Sequence, residues 1–122
     1  MAADRRSSWL KGVLDLLVLS CLTGGESYGY EIAKALAGAG LGEIKGGTLH
    51  PVLNRLEEAG LVEAEFRAAE RGPGRRHYRL TDPGRAHLAA EGAAWAEFHR
   101  AVGTQLHTGG AAPQPPTPTS RS

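Results

Sequence analysis

Apolar side chains fall on nearly every face of a helix drawn from Leu10 to Leu22: Leu10, Val13, Leu14, Leu16, Leu17, Val18, Leu19 and Leu22. A helix without a polar side predicts burial in a core. TGGES breaks this run, and Ser27 is placed to cap a second helix from Tyr28 to about Ala39, with Ile32 and Leu36 on one face. AGAGLGEIKGG follows as a glycine-rich linker with room for one short strand at Glu43–Lys45. In GGTLHPVLNRL the spacing becomes helical again. Leu49, Val52, Leu53 and Leu56 share one face, and His50, Pro51, Asn54, Arg55 and Glu58 share the other. With Thr48 as N-cap, Pro51 lies in the first turn, where a missing N–H costs nothing. Gly60 ends the helix as its C′ residue.

After Leu61 the period shortens to two. Val62, Ala64 and Phe66 alternate with Glu63, Glu65 and Arg67, the pattern of a half-buried strand. Tyr78 and Leu80 alternate with His77 and Arg79 in a second strand, and Gly72-Pro73-Gly74 marks the reversal between them. Asp82-Pro83 starts a last helix, with proline at its first position, which runs to roughly Gln105. The predicted class is mainly α with a small β-hairpin: a winged helix-turn-helix plus a C-terminal dimerisation helix. The predicted boundaries are a flexible arm over 1–8, the winged domain over 9–81, the C-terminal helix over 82–107 and a disordered Pro/Thr/Ser tail over 108–122.

Composition narrows the function. The 122 residues suit one domain, and 41% hydrophobic with 22% charged residues describes a globular chain. The formal charge is only +1, so a polyanion partner has to be argued from local charge. The single cysteine, Cys21, lies in apolar sequence and predicts a buried, inert thiol. The apolar run from Val13 to Leu22 is interrupted by Asp15 and Ser20 and is too short to span a bilayer, and no secretory cleavage site is evident, so an intracellular protein is expected. The five histidines form no HExxH pattern, and no triad or phosphate-loop signature accompanies them, so neither catalysis nor a metal or other cofactor is expected.

LKGVLDLLVLSCL, GESYGYEIAKAL, GGTLHPVLNRLEEAGLV and RGPGRRHYRLTDPG, in that order and spacing, resemble the PadR family of bacterial transcriptional regulators. The resemblance covers Leu10 to about Val102, and the single helix after the wing is similar to the smaller PadR subfamily. It implies a cytoplasmic homodimer that binds an inverted-repeat operator in double-stranded DNA, often as a repressor relieved by a small hydrophobic effector. One departure is His50, where the family usually carries tyrosine. An imidazole reaches less far than a phenol and can gain charge in mildly acidic solution.

Arg55 and Asn54 are the residue types that bond guanine and adenine edges with two hydrogen bonds each, and with Thr48, His50 and Pro51 they form the expected groove-facing surface. Arg71, Arg75 and Arg76 flank the hairpin tip and are expected on phosphates, whereas Arg79 and Arg85 are expected to pair with local acids or face water. Roughly four phosphates per subunit would give a dimer a salt slope near −7. Tyr28 is open to two readings, a phosphate contact or a core residue. On the last helix Leu88, Trp95 and Val102 recur every seven residues with Phe98 and Leu106 beside them, a seam for a second copy of the chain. Gly92 in mid-helix points to close packing or a bend. The resemblance implies an effector pocket at Trp95, onto which Trp9 could pack; a plain dimer core is the other reading. A winged helix used only for protein contacts is the competing function.

Overall fold

The computed structural model describes residues 2–111, with side chains over 5–109. The helix expected over Leu10–Leu22 is shorter, and a second helix precedes it. Helix α1 (Ala2–Leu10) covers most of the expected flexible arm, and α2 (Leu14–Ser20) begins after a turn closed by the Val13 amide on the Leu10 carbonyl at 2.9 Å. Gly12 stands in that turn, and glycine is among the least favourable helix residues. The break lets α2 bury one side: Leu14, Val18 and Leu19 enter the core with Leu22, while Leu16 and Leu17 are half-buried.

Ser27 does not cap a helix. It pairs with Tyr78 in a two-residue strand, β1 (Ser27–Tyr28), and its hydroxyl donates to Glu31 Oε1 at 2.8 Å. Helix α3 (Gly29–Leu36) follows and then widens over Ala37–Leu41, leaving the helical path at Gly40 (φ 88°). The strand expected at Glu43–Lys45 is absent; these residues have no regular structure, and Ile44 is anchored in the core.

Helix α4 (Gly46–Glu58) runs through the centre of the fold, and Leu49, Val52, Leu53 and Leu56 are all buried against α2, α3 and β2. It ends as expected at Gly60 (φ 77°). The Leu61 amide donates to the Leu56 carbonyl and the Gly60 amide to that of Glu57, both at 3.0 Å, so the last carbonyls of the helix find donors.

Strands β2 (Val62–Arg67) and β3 (Arg75–Leu80) pair antiparallel from Val62 opposite Leu80 to Arg67 opposite Arg75, and the sheet order is β1-β3-β2. Val62, Tyr78 and Leu80 are buried, but Phe66 is 63% exposed, contrary to the alternation. By Phe66 the hairpin has passed beyond the core, and the ring covers Gly74, where a Cβ would stand 2.3 Å from Phe66 Cζ.

Helix α5 (Asp82–Ala111) is longer than expected and takes in the start of the predicted tail; the rest of that tail lies outside the described residues. Pro83 is its second residue, not its first. Thr81 caps it: the Oγ1 accepts from the Gly84 amide at 3.0 Å and donates to the Gly60 carbonyl at 2.6 Å. A Cβ on Gly84 would come within 2.0 Å of the Leu61 carbonyl oxygen, so only glycine fits. The chain divides into two compact units at Glu91 and Gly92, within this helix. In the first unit Leu88 packs half-buried onto the core rather than standing in a free seam. In the second, Trp95 is half-buried and stacks on His99 at 5.2 Å, whereas Phe98, Val102 and Leu106 are exposed. A Cβ at Gly92 would meet nothing within 4 Å, so no close packing among the described residues explains that glycine.

Candidate nucleic-acid interface

The outer face of α4 is the first component. His50, Pro51, Asn54 and Arg55 are exposed along it, opposite the buried leucines, and Thr48 is exposed in its first turn. The helix starts earlier than the sequence predicts. Lys45, not Thr48, is the N-cap residue, and its carbonyl accepts from the amides of Thr48 and Leu49, both at 2.9 Å. Pro51 is therefore the sixth helical residue, and the Gly47 carbonyl has no N–H one turn ahead. The His50 ring lies back over Gly46, its Cδ2 3.4 Å from where a Cβ would be.

Arg55 is not free on this face. Asp15 of α2 takes it edge-on, accepting from Nη2 at 2.6 Å and Nε at 3.4 Å. Neither side chain is buried, at 57% and 40% exposure.

The second component is the wing. Successive side chains of β3 leave opposite sides of the sheet, so Arg75 and Arg76 do not form one cluster. Arg76 turns back to Glu57 of α4 at 2.6 Å. Arg75 lies over the Tyr28 ring, 4.6 Å from its centroid, a cation–π arrangement. Tyr28 is thus half-buried at the wing root, 5.3 Å from the His77 ring, and lies outside the core cluster. Arg71 stands exposed in the connecting loop beside Gly72 (φ 74°). Arg79 pairs with Glu63 at 2.6 Å, as the sequence suggested.

Sequence reading missed the acidic partners. Glu26 bridges to Arg67, which also reaches Glu65 at 3.4 Å. Hydrogen bonding from Arg67 holds the Glu26 carboxyl below the ordinary glutamate range. His77 Nδ1 is 3.8 Å from Glu26 Oε2 and is buried without a hydrogen-bond partner. Pairs such as Arg55–Asp15 and Arg67–Glu26 lie 40 and 41 residues apart, so nothing in the local pattern announces them. Cys21 is half-buried rather than sealed, and burial pushes its thiol pKa up. Among the described residues no cluster of His, Cys, Asp and Glu could hold a metal ion, and no helix is long and apolar enough to cross a membrane.

Trp9, expected near an effector pocket, lies on α1 and is 69% exposed. Trp95 is in the other unit, with His99 as its stacking partner.

Known proteins resemble this chain in sequence and in fold. The chain is 34% identical over 99 residues to an uncharacterized protein of Lysinibacillus sphaericus, covering 80% of this chain and 91% of that one. It is 46% identical over 68 residues to the transcriptional regulator Rv3488 of Mycobacterium tuberculosis, a match covering 55% of this chain and 63% of the regulator. A PadR family transcriptional regulator from Eggerthella lenta superposes with a TM-score of 0.75 at 34% identity, over 88% of this chain and 93% of that one. A PadR-like transcriptional regulator from Bacillus cereus superposes with a TM-score of 0.72 at 31% identity, over 83% and 98%. The model of the transcriptional regulator PadR-like family matches residues 18–90. By sequence and by fold, the chain belongs to the PadR-like family of transcriptional regulators.

Proposed function

We propose that this chain is a DNA-binding repressor that acts in the cytoplasm as a homodimer on an inverted-repeat operator. The observation that carries the reading is the two-sidedness of α4. Its leucine face is buried, and His50, Pro51, Asn54 and Arg55 are exposed on the other face, with Arg55 paired to the Asp15 carboxylate. Arg55 supplies paired donors for a guanine edge, and Asn54 a donor and an acceptor for an adenine edge. Arg71 and Arg75 supply charge for the backbone, and Thr48 and Tyr28 supply hydroxyls for the same purpose. Arg76 joins them by exchanging Glu57 for a phosphate.

Self-association is supported by α5. Phe98, Val102 and Leu106 are exposed at 64%, 39% and 70%, and apolar side chains at such spacing suit a matching helix from a second copy. Trp95 belongs to the same surface. A small hydrophobic effector would be read at that surface by Trp95.

The test is selection of bound duplexes from a random pool, followed by titration of the recovered sequence at several salt concentrations. An inverted repeat bound more tightly than random duplex, with tryptophan fluorescence responding to a releasing compound, is the expected result. Absence of salt-dependent duplex binding would leave a winged helix used only for protein contacts.

A further inference from the structure

We propose that Asp15 is a positioning residue that sets base specificity by orienting the guanidinium of Arg55. This rests on the reading of Arg55 as a groove-facing residue.

A guanidinium has five N–H donors in a rigid plane. Asp15 engages one edge of that plane, through Nε and Nη2. The end of the fork, one N–H on Nη1 and the remaining one on Nη2, is left for a second planar acceptor pair. The O6 and N7 of guanine are such a pair in the major groove.

The platform beneath the carboxylate is firm. Asp15 lies in the first turn of α2, Leu14 and Val18 of that helix are buried, and α2 packs directly on α4. An exposed ion pair adds little to folding stability, so this one acts mainly on the side chain it restrains. An unrestrained arginine spreads over many rotamers, and ordering it on binding opposes association. The same negative charge disfavours loose contact between Arg55 and any phosphate, so the restraint separates base reading from backbone attraction. Glu57 and Glu63 hold Arg76 and Arg79 by single contacts at 2.6 Å, without the second N–H that fixes the plane of Arg55.

The experiment compares the full chain with Asp15→Asn, Arg55→Ala and the double variant. Each is titrated with the duplex recovered from the random pool, with that duplex carrying 7-deazaguanine at each guanine in turn, and with random-sequence duplex. Asp15→Ser is run alongside, and circular dichroism verifies helicity, so that at least one folded variant lacks the carboxylate. In the unaltered chain, removal of N7 at one guanine should weaken binding about tenfold. In Asp15→Asn the recovered duplex should bind about tenfold more weakly, the deazaguanine penalty should largely vanish, and random duplex should bind as well or better. Adding Asp15→Asn to Arg55→Ala should cause no further loss. A full deazaguanine penalty in folded Asp15 variants would overturn the proposal while leaving Arg55 in the groove. Equal tightening on both duplexes would also overturn it, since Asp15 would then only compete with phosphate. Unchanged preference in Arg55→Ala would instead sink the groove reading, and this proposal with it.

Discussion

The apolar stripes of α4 and α5 meet opposite fates. In α4 the stripe of Leu49, Val52, Leu53 and Leu56 is covered by the chain itself. In the second compact unit, the part of α5 after Gly92 presents Phe98, Val102 and Leu106 to solvent. The same periodicity thus serves folding in one place and is available for assembly in the other. The polar faces differ as well. Opposite its leucines α4 exposes a histidine, a proline, an asparagine and a carboxylate-held arginine. The lesson is that an amphipathic pattern fixes a helix's orientation but not the identity of the molecule covering it.

Truncating the covered stripe is the sharpest way to break the contrast. Leu53→Ala removes a fully buried side chain and should cost about 2–5 kcal/mol, read from urea or thermal unfolding. Phe98→Ala should leave the unfolding of a dilute, monomeric sample nearly unchanged. A large loss there would place Phe98 in the chain's own core. Trp95→Ala should weaken self-association by about 2 kcal/mol, roughly thirtyfold, measured by sedimentation across a dilution series. An unchanged dimer fraction would remove the assembly role from α5.

Charge on the wing provides the next step down in size. Arg71→Ala and Arg75→Ala should each weaken binding to every duplex and reduce the salt slope by about one per subunit. Arg76→Ala should change the slope less, because Glu57 already neutralises Arg76 in the free protein. Equal effects at all three positions would show that Glu57 releases its partner without cost.

Acid gives the smallest effect. Hydrogen bonding from Arg67 lowers the Glu26 pKa, so the folded state holds fewer protons there than the unfolded chain. The resulting stability is present above the unfolded glutamate pKa and is lost as pH falls through the lower folded value. Melting curves of the protein and of Glu26→Gln should therefore converge on acidification. Curves that stay parallel would show that the Glu26–Arg67 bridge contributes nothing to folding.

Much of the fold was legible because it rests on local periods. The two faces of α4, its glycine end and the hairpin all follow from spacing. The errors occurred where a local signal had two meanings. Ser27 reads as a cap but pairs with Tyr78, a strand partner 51 residues away in register. Thr48 also reads as a cap, yet its own amide bonds the Lys45 carbonyl and the helix begins three residues sooner. Phe66 fits an alternation that continues after the core has ended. For the site, spacing identified the exposed residues of α4. It could not foresee that Asp15, Glu57 and Glu26 hold the arginines, since ion pairs at such separations exist only after folding.

The joint at Thr81 and Gly84 has a practical consequence for anyone exchanging tails among such regulators. Three points fasten the first turn of α5 to the end of α4: the Thr81 hydroxyl on the Gly60 carbonyl, the Thr81 amide on the Leu61 carbonyl at 3.1 Å, and the bare Gly84 backbone against Leu61. That turn is part of the winged body, although its helix runs on into the second unit. A hybrid should be spliced downstream of Leu88, the last α5 residue packed onto the core. A seam placed at Pro83 would tear out the rivet along with the tail.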